Sequence, residues 1–302
     1  MRKGVGYGKV ILFGDHFVVH GAPAIAAGIA NAAIVEVERS DRNRIKTDLK
    51  VIEEMSLDGI GGVLKSMGIK EKYDVRLEGD LPTYGGLGSS AAFCVAMVRA
   101  FAEEKGLHLT DAEVNKHAYA GEMAFHGNPS GIDNFMATYG GVAEFTRGKT
   151  PAENRFEHLS MKKSLELVVS FTGKYSPTAK MVESVRKFRE QDEDEFSQLM
   201  EEYTTIEVEG RKSLEKGKMD VVGELMNANQ ELLQELGVSD ELNDRINQIA
   251  LSEGALGAKV TGGGGGGCCI LLAADKAHAA ALKGKLDKAG FASFATRIAK
   301  RG

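Results

Sequence analysis

The sequence has no tryptophan, only five prolines and only three cysteines. Cys94, Cys268 and Cys269 make no even-numbered disulfide framework and lack the spacing of a zinc site, so they read as small buried hydrophobes. Long apolar runs are also missing. The nearest candidate, "APAIAAGIANAAIV", has 14 residues and contains Asn31, too little to cross a bilayer. The opening "MRKGVGYGKVILFGDH" has the charged start of a secretory signal, but its apolar centre is only "VILF", with Asp15 and His16 next to it. Positive charge is not in excess: 38 Lys and Arg stand against 43 Asp and Glu, a net −5. Nucleic acids and anionic membranes are held by clustered cations, so neither is expected as a partner. The expectation is a soluble cytoplasmic protein.

Glycine, by contrast, is abundant, with 37 residues in a chain of 302 that is 43% hydrophobic, enough for one large or two ordinary domains. "KVILF", "AAIVEVE" and "YDVRLEG" are β-branched and partly alternating, and predict early strands. From Ser89 to Lys105 the period turns helical, with Ala91, Val95, Val98 and Phe101 on one face and Gly106 as the stop. Thr110 and Glu113 form a capping box that opens a second helix, which carries Glu122 and ends near Gly127. "VAEFTRG" and "LELVVSFTG" predict strands, and Ser176 as cap with Pro177 behind it predicts another helix start. Charged helices fill roughly 193 to 254, and the stretch 183–217 reads as a solvated face. "AKVTGGGGGGCCILLAA" reads as strand, glycine loop and strand, followed by a helix at 275–289 and "FASFATRIA". Strands interleave with helices in both halves, which predicts α/β (α+β) packing divided near residue 170.

The loop "GGLGSSAAF" is the first candidate for chemistry. Glycines let backbone N–H groups face an anion with no Cβ in the way, and a helix beginning at Ser89 adds its N-terminal partial charge. The Ser90 hydroxyl could reach a phosphate or its Mg²⁺. The same letters also describe a plain turn with two serines capping a helix. Neither familiar phosphate motif is present: Ser89, not Lys, follows Gly88, and position 91 is Ala91 where a dinucleotide fingerprint needs glycine. "GVGYGKV" near the N-terminus is a near miss for the first motif, with Lys3 and Val10 at the wrong places.

Three further stretches bear on the choice. "GKVILFGDHFVVHG" sets Lys9, Asp15 and His16 around one strand end, and "GEMAFHGNPSGIDN" carries Glu122 and Asp133 on either side of a turn. "KVTGGGGGG" supplies a second loop of bare amides. Taken singly these are a surface lysine, a core histidine, a solvated helix-end glutamate and a turn aspartate. Occurring with two glycine loops, they suggest one phosphoryl-transfer site.

Together the four stretches resemble the GHMP kinases. The family signature P-x₃-G-L-G-S-S-A is matched from Pro82 to Ala91, and "HGNPSGIDN" followed by "YGG" resembles the branch of the family that phosphorylates mevalonate. The likeness runs from residue 8 to at least 272. It implies a two-domain fold: an N-terminal ribosomal-protein-S5-like α/β domain (1–170) that binds ATP and Mg²⁺, and a C-terminal ferredoxin-like domain (171–302), with the site in the cleft between. It implies transfer of the ATP γ-phosphoryl group to the C5 hydroxyl of mevalonate, a small-molecule substrate of isoprenoid biosynthesis, by a homodimer. Carried over residue by residue, Asp133 would take or orient the hydroxyl proton and Lys9 would stabilise the charge that develops. Pro82, Gly85, Gly86, Leu87, Gly88, Ser89, Ser90, Ala91 and Ala92 would hold the nucleotide, and Ser90 and Glu122 the Mg²⁺. His16, Asp15, Thr178, Gly263 and Gly264 would face the substrate. Two positions depart from the family pattern: Tyr7 replaces a usual proline, and Asp15 a usual glutamate one methylene longer. Another acceptor (phosphomevalonate, a sugar or homoserine) remains an alternative on the same scaffold, as does a mevalonate-derived decarboxylase or 3-kinase. A non-catalytic module should have lost Lys9, Asp133 or Ser90, and all three are present.

Overall fold

The strand β1 (Arg2–Phe13) lies antiparallel to the long β2 (Ala24–Ser40), and the computed structural model describes residues 2–47, 55–83, 85–127, 129–150, 153–175 and 177–299. On its other edge β2 serves two partners. Its C-terminal half pairs with β4 (Lys72–Gly79) and its N-terminal half with β5 (Val142–Thr146). The short β3 (Arg44–Lys46) extends the sheet beyond β4, and β6 (Arg155–His158) extends it beyond β5. On this sheet lie α2 (Ser89–Lys105) and α4 (Ile132–Tyr139), while α1 (Met55–Ser66) and α3 (Asp111–His126) pack on each other and on α2.

The "GVGYG" stretch that mimics a phosphate motif is a packing device. A Cβ on Gly6 would stand 2.0 Å from the Ala92 carbonyl oxygen, and one on Gly4 the same 2.0 Å from that of Ala96. Glycine at alternate positions on one face of β1 therefore lets α2 lie directly on the strand. This close approach places Lys9, further along β1, at the start of α2.

The second sheet has the order β10-β7-β9-β8, all antiparallel: β7 (Glu166–Phe171), β8 (Gly257–Thr261), β9 (Cys268–Ala273) and β10 (Ser293–Arg297). With it go α5 (Thr178–Gln191), α6 (Glu193–Lys216), α7 (Met219–Glu235), α8 (Glu241–Ser252) and α9 (Lys276–Lys288). The division expected at residue 170 falls inside β7, which belongs wholly to this second sheet, so the sheets part between His158 and Glu166.

One hydrophobic core continues from Val10 and Leu12 through α2 into the second sheet, and a smaller cluster of Val18, Ala24, Ile132, Met136 and Phe145 seats α4. Polar and aromatic contacts tie the halves together at the site. The Thr261 hydroxyl accepts from the Ile11 amide at 2.8 Å, and the Tyr203 hydroxyl donates to the Pro23 carbonyl at 2.6 Å. The rings of Phe17 and Tyr203 stack at 4.3 Å, a contact worth about 0.5–1.5 kcal/mol beyond its buried area.

Candidate active site

The predicted helix Ser89–Lys105 forms with those bounds, and its N-cap is Gly88, held at φ 69°. Gly85 and Gly86 also take positive φ, so the loop turns back on itself and presents the open end of α2 to a cleft. The Ser89 hydroxyl donates to the Pro82 carbonyl at 2.8 Å and fastens the loop shut. The amide of Ala92 already donates to the Gly88 carbonyl, at 2.9 Å. The free amides of the first turn are therefore those of Ser89, Ser90 and Ala91. Ala92, expected to contact the nucleotide, is fully buried with its amide engaged; it packs the helix against β1. Leu87 is likewise a core side chain, and its carbonyl accepts from the Lys9 amide at 2.9 Å.

The positive charge missing from the loop arrives from β1. Lys9 is buried, and its ammonium lies 3.2 Å from a carboxylate oxygen of Asp133, whose side chain is 34% exposed into the cleft. Asp133 stands in the first turn of α4, behind Gly131 at φ 88°. A Cβ on Gly88 would touch both partners, 3.0 Å from Lys9 Cγ and 3.6 Å from Asp133 Cβ. The ion pair therefore sits directly against the loop.

Glu122 approaches from the last turn of α3. Its side chain is buried, and one carboxylate oxygen has no hydrogen-bond partner. Burial, and next the neighbouring charge of Asp133, push its pKa up to about 8. Ser90 Oγ and His126 Nε2 are in hydrogen-bond contact at 3.0 Å, and the same ring nitrogen lies 3.9 Å from Glu122. His126 lies within the "HGNPSGIDN" motif but has no contact expected for it; its place four residues after Glu122 on one helix is the available signal. Among the described residues no three His, Cys, Asp or Glu gather into a metal cage. An unpartnered buried carboxylate oxygen beside a hydroxyl is nonetheless the donor set a Mg²⁺ shared with phosphates requires, since that ion keeps several waters and few protein ligands.

The second domain closes the cleft with its glycine loop. Gly263 faces Thr178, the first residue of α5, where a Cβ would stand 2.7 Å from the threonine hydroxyl. Gly264, at φ 66°, abuts the Val238 carbonyl, and Gly86 meets the Thr261 carbonyl across the domain gap. Pro177 holds the cap position of α5, while Ser176, expected as that cap, lies outside the described residues.

His16 is almost fully buried and donates from Nε2 to the Gly263 carbonyl at 2.9 Å, leaving Nδ1 buried without a partner. Burial lowers its pKa, which favours the neutral ring. Asp15, expected on the substrate, faces the other way. Its side chain is wholly inaccessible, and its two oxygens accept from Lys259 and from the Gly262 amide, the latter at 2.7 Å. No acceptor molecule can touch it in this arrangement. The signal for Lys259 is a lysine inside a strand, three residues before a glycine run.

A small cleft thus unites two glycine loops, the open end of a helix, a buried lysine paired with an aspartate, and an unpartnered buried glutamate: the layout of a small-molecule phosphotransferase. Family models agree with it. The model for the GHMP kinases N terminal domain matches residues 51–141, and that for the GHMP kinases C terminal matches residues 211–292. The mevalonate kinase of Thermococcus gammatolerans is 33% identical over 97% of this chain and 95% of its own. The mevalonate kinase of Pyrococcus furiosus is 35% identical over 84% of each. A crystal structure of L. major mevalonate kinase in complex with R-mevalonate superposes with a TM-score of 0.93 at 35% identity, covering 99% of this chain and 96% of that one. The chain belongs to the GHMP kinases and has their two-domain α/β fold. Within that family its relatives of known structure and activity include the mevalonate kinases.

Proposed function

We propose that this protein phosphorylates the C5 hydroxyl of (R)-mevalonate with ATP, giving 5-phosphomevalonate and ADP. The observation that carries the chemistry is the Lys9–Asp133 pair at 3.2 Å, buried on the lysine side, open on the aspartate side and pressed against Gly88. The acceptor follows from the likeness to the L. major enzyme, whose structure holds R-mevalonate, and to the mevalonate kinases of Thermococcus and Pyrococcus.

Phosphoryl transfer demands positioning and charge neutralisation more than covalent help from the protein. The free amides of Ser89, Ser90 and Ala91, with the helix-end partial charge behind them, would grip the β- and γ-phosphates. Ser90 and Glu122 would hold Mg²⁺, the carboxylate shedding its proton to do so. The bound ion would supply neutralisation of phosphate-oxygen charge.

Asp133 would accept the C5 hydroxyl proton as that oxygen bonds to the γ-phosphorus and the bond to the ADP oxygen breaks. Lys9, already anchored on Asp133, would stabilise the charge building on the attacking oxygen. Because Nε2–H of His16 is committed to Gly263, its buried and unpartnered Nδ1 would be the atom that accepts from a hydroxyl of mevalonate. Thr178, Gly263 and Gly264 would wall the acceptor side. The proposed assembly is a homodimer, on the family resemblance alone, which sedimentation of the purified protein checks.

The deciding experiment is ADP release with Mg·ATP and mevalonate, phosphomevalonate, galactose or homoserine offered separately. Turnover selective for mevalonate is expected; selective turnover of another acceptor overturns the assignment.

A further inference from the structure

The interior ion pair between Asp15 and Lys259 has no part in the chemistry just described. Both side chains are completely inaccessible, and they belong to different domains: Asp15 follows β1, while Lys259 is in the middle of β8. Removing two opposite charges from water costs several kcal/mol per ion, so such a pair is weak evidence for stability and invites another explanation. Asp15 is also the only non-glycine among the described residues with a positive φ, 46°. A strained backbone, a buried charge pair and a domain boundary coincide at one residue.

The contacts show what this arrangement fixes. One Asp15 oxygen accepts from Lys259, which also donates to the Val260 carbonyl at 2.6 Å, and the other accepts from the Gly262 amide. The next residue in each segment carries the consequence: His16 donates to the carbonyl of Gly263. A carbonyl only accepts, so this contact requires the proton on Nε2 and leaves Nδ1 as a bare acceptor. If the Gly262–Gly263 segment drifted, the ring could carry its proton on either nitrogen, and a donor at Nδ1 would reverse the bond, giving a proton to the substrate hydroxyl oxygen instead of accepting the hydroxyl's own.

We propose that Asp15, its charge balanced by Lys259, is a positioning residue that anchors Gly262 so that the Gly263 carbonyl holds His16 in the Nε2–H tautomer with Nδ1 as the ring's acceptor. The role assigned to Nδ1 rests on the mevalonate reading above; the tautomer itself does not. Shortened from the family's usual glutamate, the carboxylate serves the second domain's loop instead of the substrate.

The test compares two double variants in the full chain. Asp15→Asn/Lys259→Met removes both charges but keeps an oxygen for the Gly262 amide, and asparagine tolerates positive φ. Asp15→Gly/Lys259→Met removes the charges and the oxygen without backbone strain; Asp15→Ser/Lys259→Met, too short to reach the amide, replaces it if it does not fold. Nitrogen-15 NMR of the histidine rings, with the His16 signals assigned by their loss in His16→Gln, reads the tautomer without any substrate.

The wild type and the asparagine variant should show the Nε2–H signature, and the glycine or serine variant a mixture. The KM for mevalonate should rise at least ~10-fold in the glycine or serine variant relative to the asparagine variant, while the KM for ATP moves by less than about 3-fold, since a misplacement of about 1 Å in a positioning group can cost up to ~10²-fold. A glycine or serine variant with the wild-type tautomer and wild-type mevalonate KM overturns the proposal. Failure of the wild type to turn over mevalonate would overturn the substrate reading instead, and the NMR comparison would still decide the tautomer.

Discussion

Lys9 and Asp133 meet as a buried-to-open ion pair, the lysine reaching from the middle of β1 and the aspartate from the first turn of α4. The two backbones are held separately, the Lys9 amide tied to Leu87 and α4 seated on its own apolar cluster. The pair is thus a fixed point against which an acceptor oxygen can be placed.

Asp133→Asn keeps the size of the side chain and its contact with Lys9 but removes the proton acceptor. Turnover should fall by at least ~10², the scale of a general base, while ATP affinity changes by less than about 3-fold. Single-turnover rates and an ATP titration of the same preparation measure both. A variant with near wild-type turnover would remove Asp133 from this role.

Gly88→Ala tests whether the loop must press on that pair. An added methyl would sit 3.0 Å from Lys9 Cγ at a φ of +69°. The backbone strain alone costs about 1–2 kcal/mol, tolerable for a domain with a continuous core. The variant should fold, with a melting temperature lowered by a few degrees, yet lose at least ~10²-fold in kcat, because the pair and the phosphate-facing amides are displaced together. Loss of stability with kcat intact would show that the loop packing is structural only.

Much of this was readable in the letters. The capping box of Thr110 and Glu113 forms as expected, and Ser89–Lys105 is helical with Gly106 as its left-handed stop, because caps and helical periods are local signals. The front half of β2 was not readable: "AIAAGIAN" is mostly alanine with only Ile25 and Ile29 β-branched, and burial between partners on both edges makes it a strand. The segment after Gly131, beyond the expected turn and assigned no element, is the helix α4, whose apolar cluster lies in distant strands. At the site, the motifs brought Lys9, Ser90, Glu122 and Asp133 to notice. They could not show which way Asp15 points, since its partner Lys259 sits in the other domain and nothing local marks the pairing.

Glu207 offers a test of how the helical layer is held, remote from the chemistry. It is buried on α6, and one of its carboxyl oxygens has no partner. The nearby Arg211 is committed elsewhere, donating to Glu144 at 2.8 Å and to Glu157. Burial first, then the charge and hydrogen bonding of Glu144, push the Glu207 pKa up to about 7. The folded chain therefore binds a proton here that the unfolded chain has already released above its ordinary carboxylate range. Stability from this site is fully present below the unfolded pKa and is lost as pH rises through about 7. Glu207→Gln keeps the shape of the protonated acid and cannot ionise. The variant should match the wild type near pH 5 and exceed it at pH 8, by about 1–3 kcal/mol, the usual cost of an uncompensated buried polar group. Melting temperatures of both proteins across that range at constant salt read the difference directly. Curves that stay parallel from pH 5 to 8 would mean that Glu207 is ionised throughout, with its charge met by Arg211 after all.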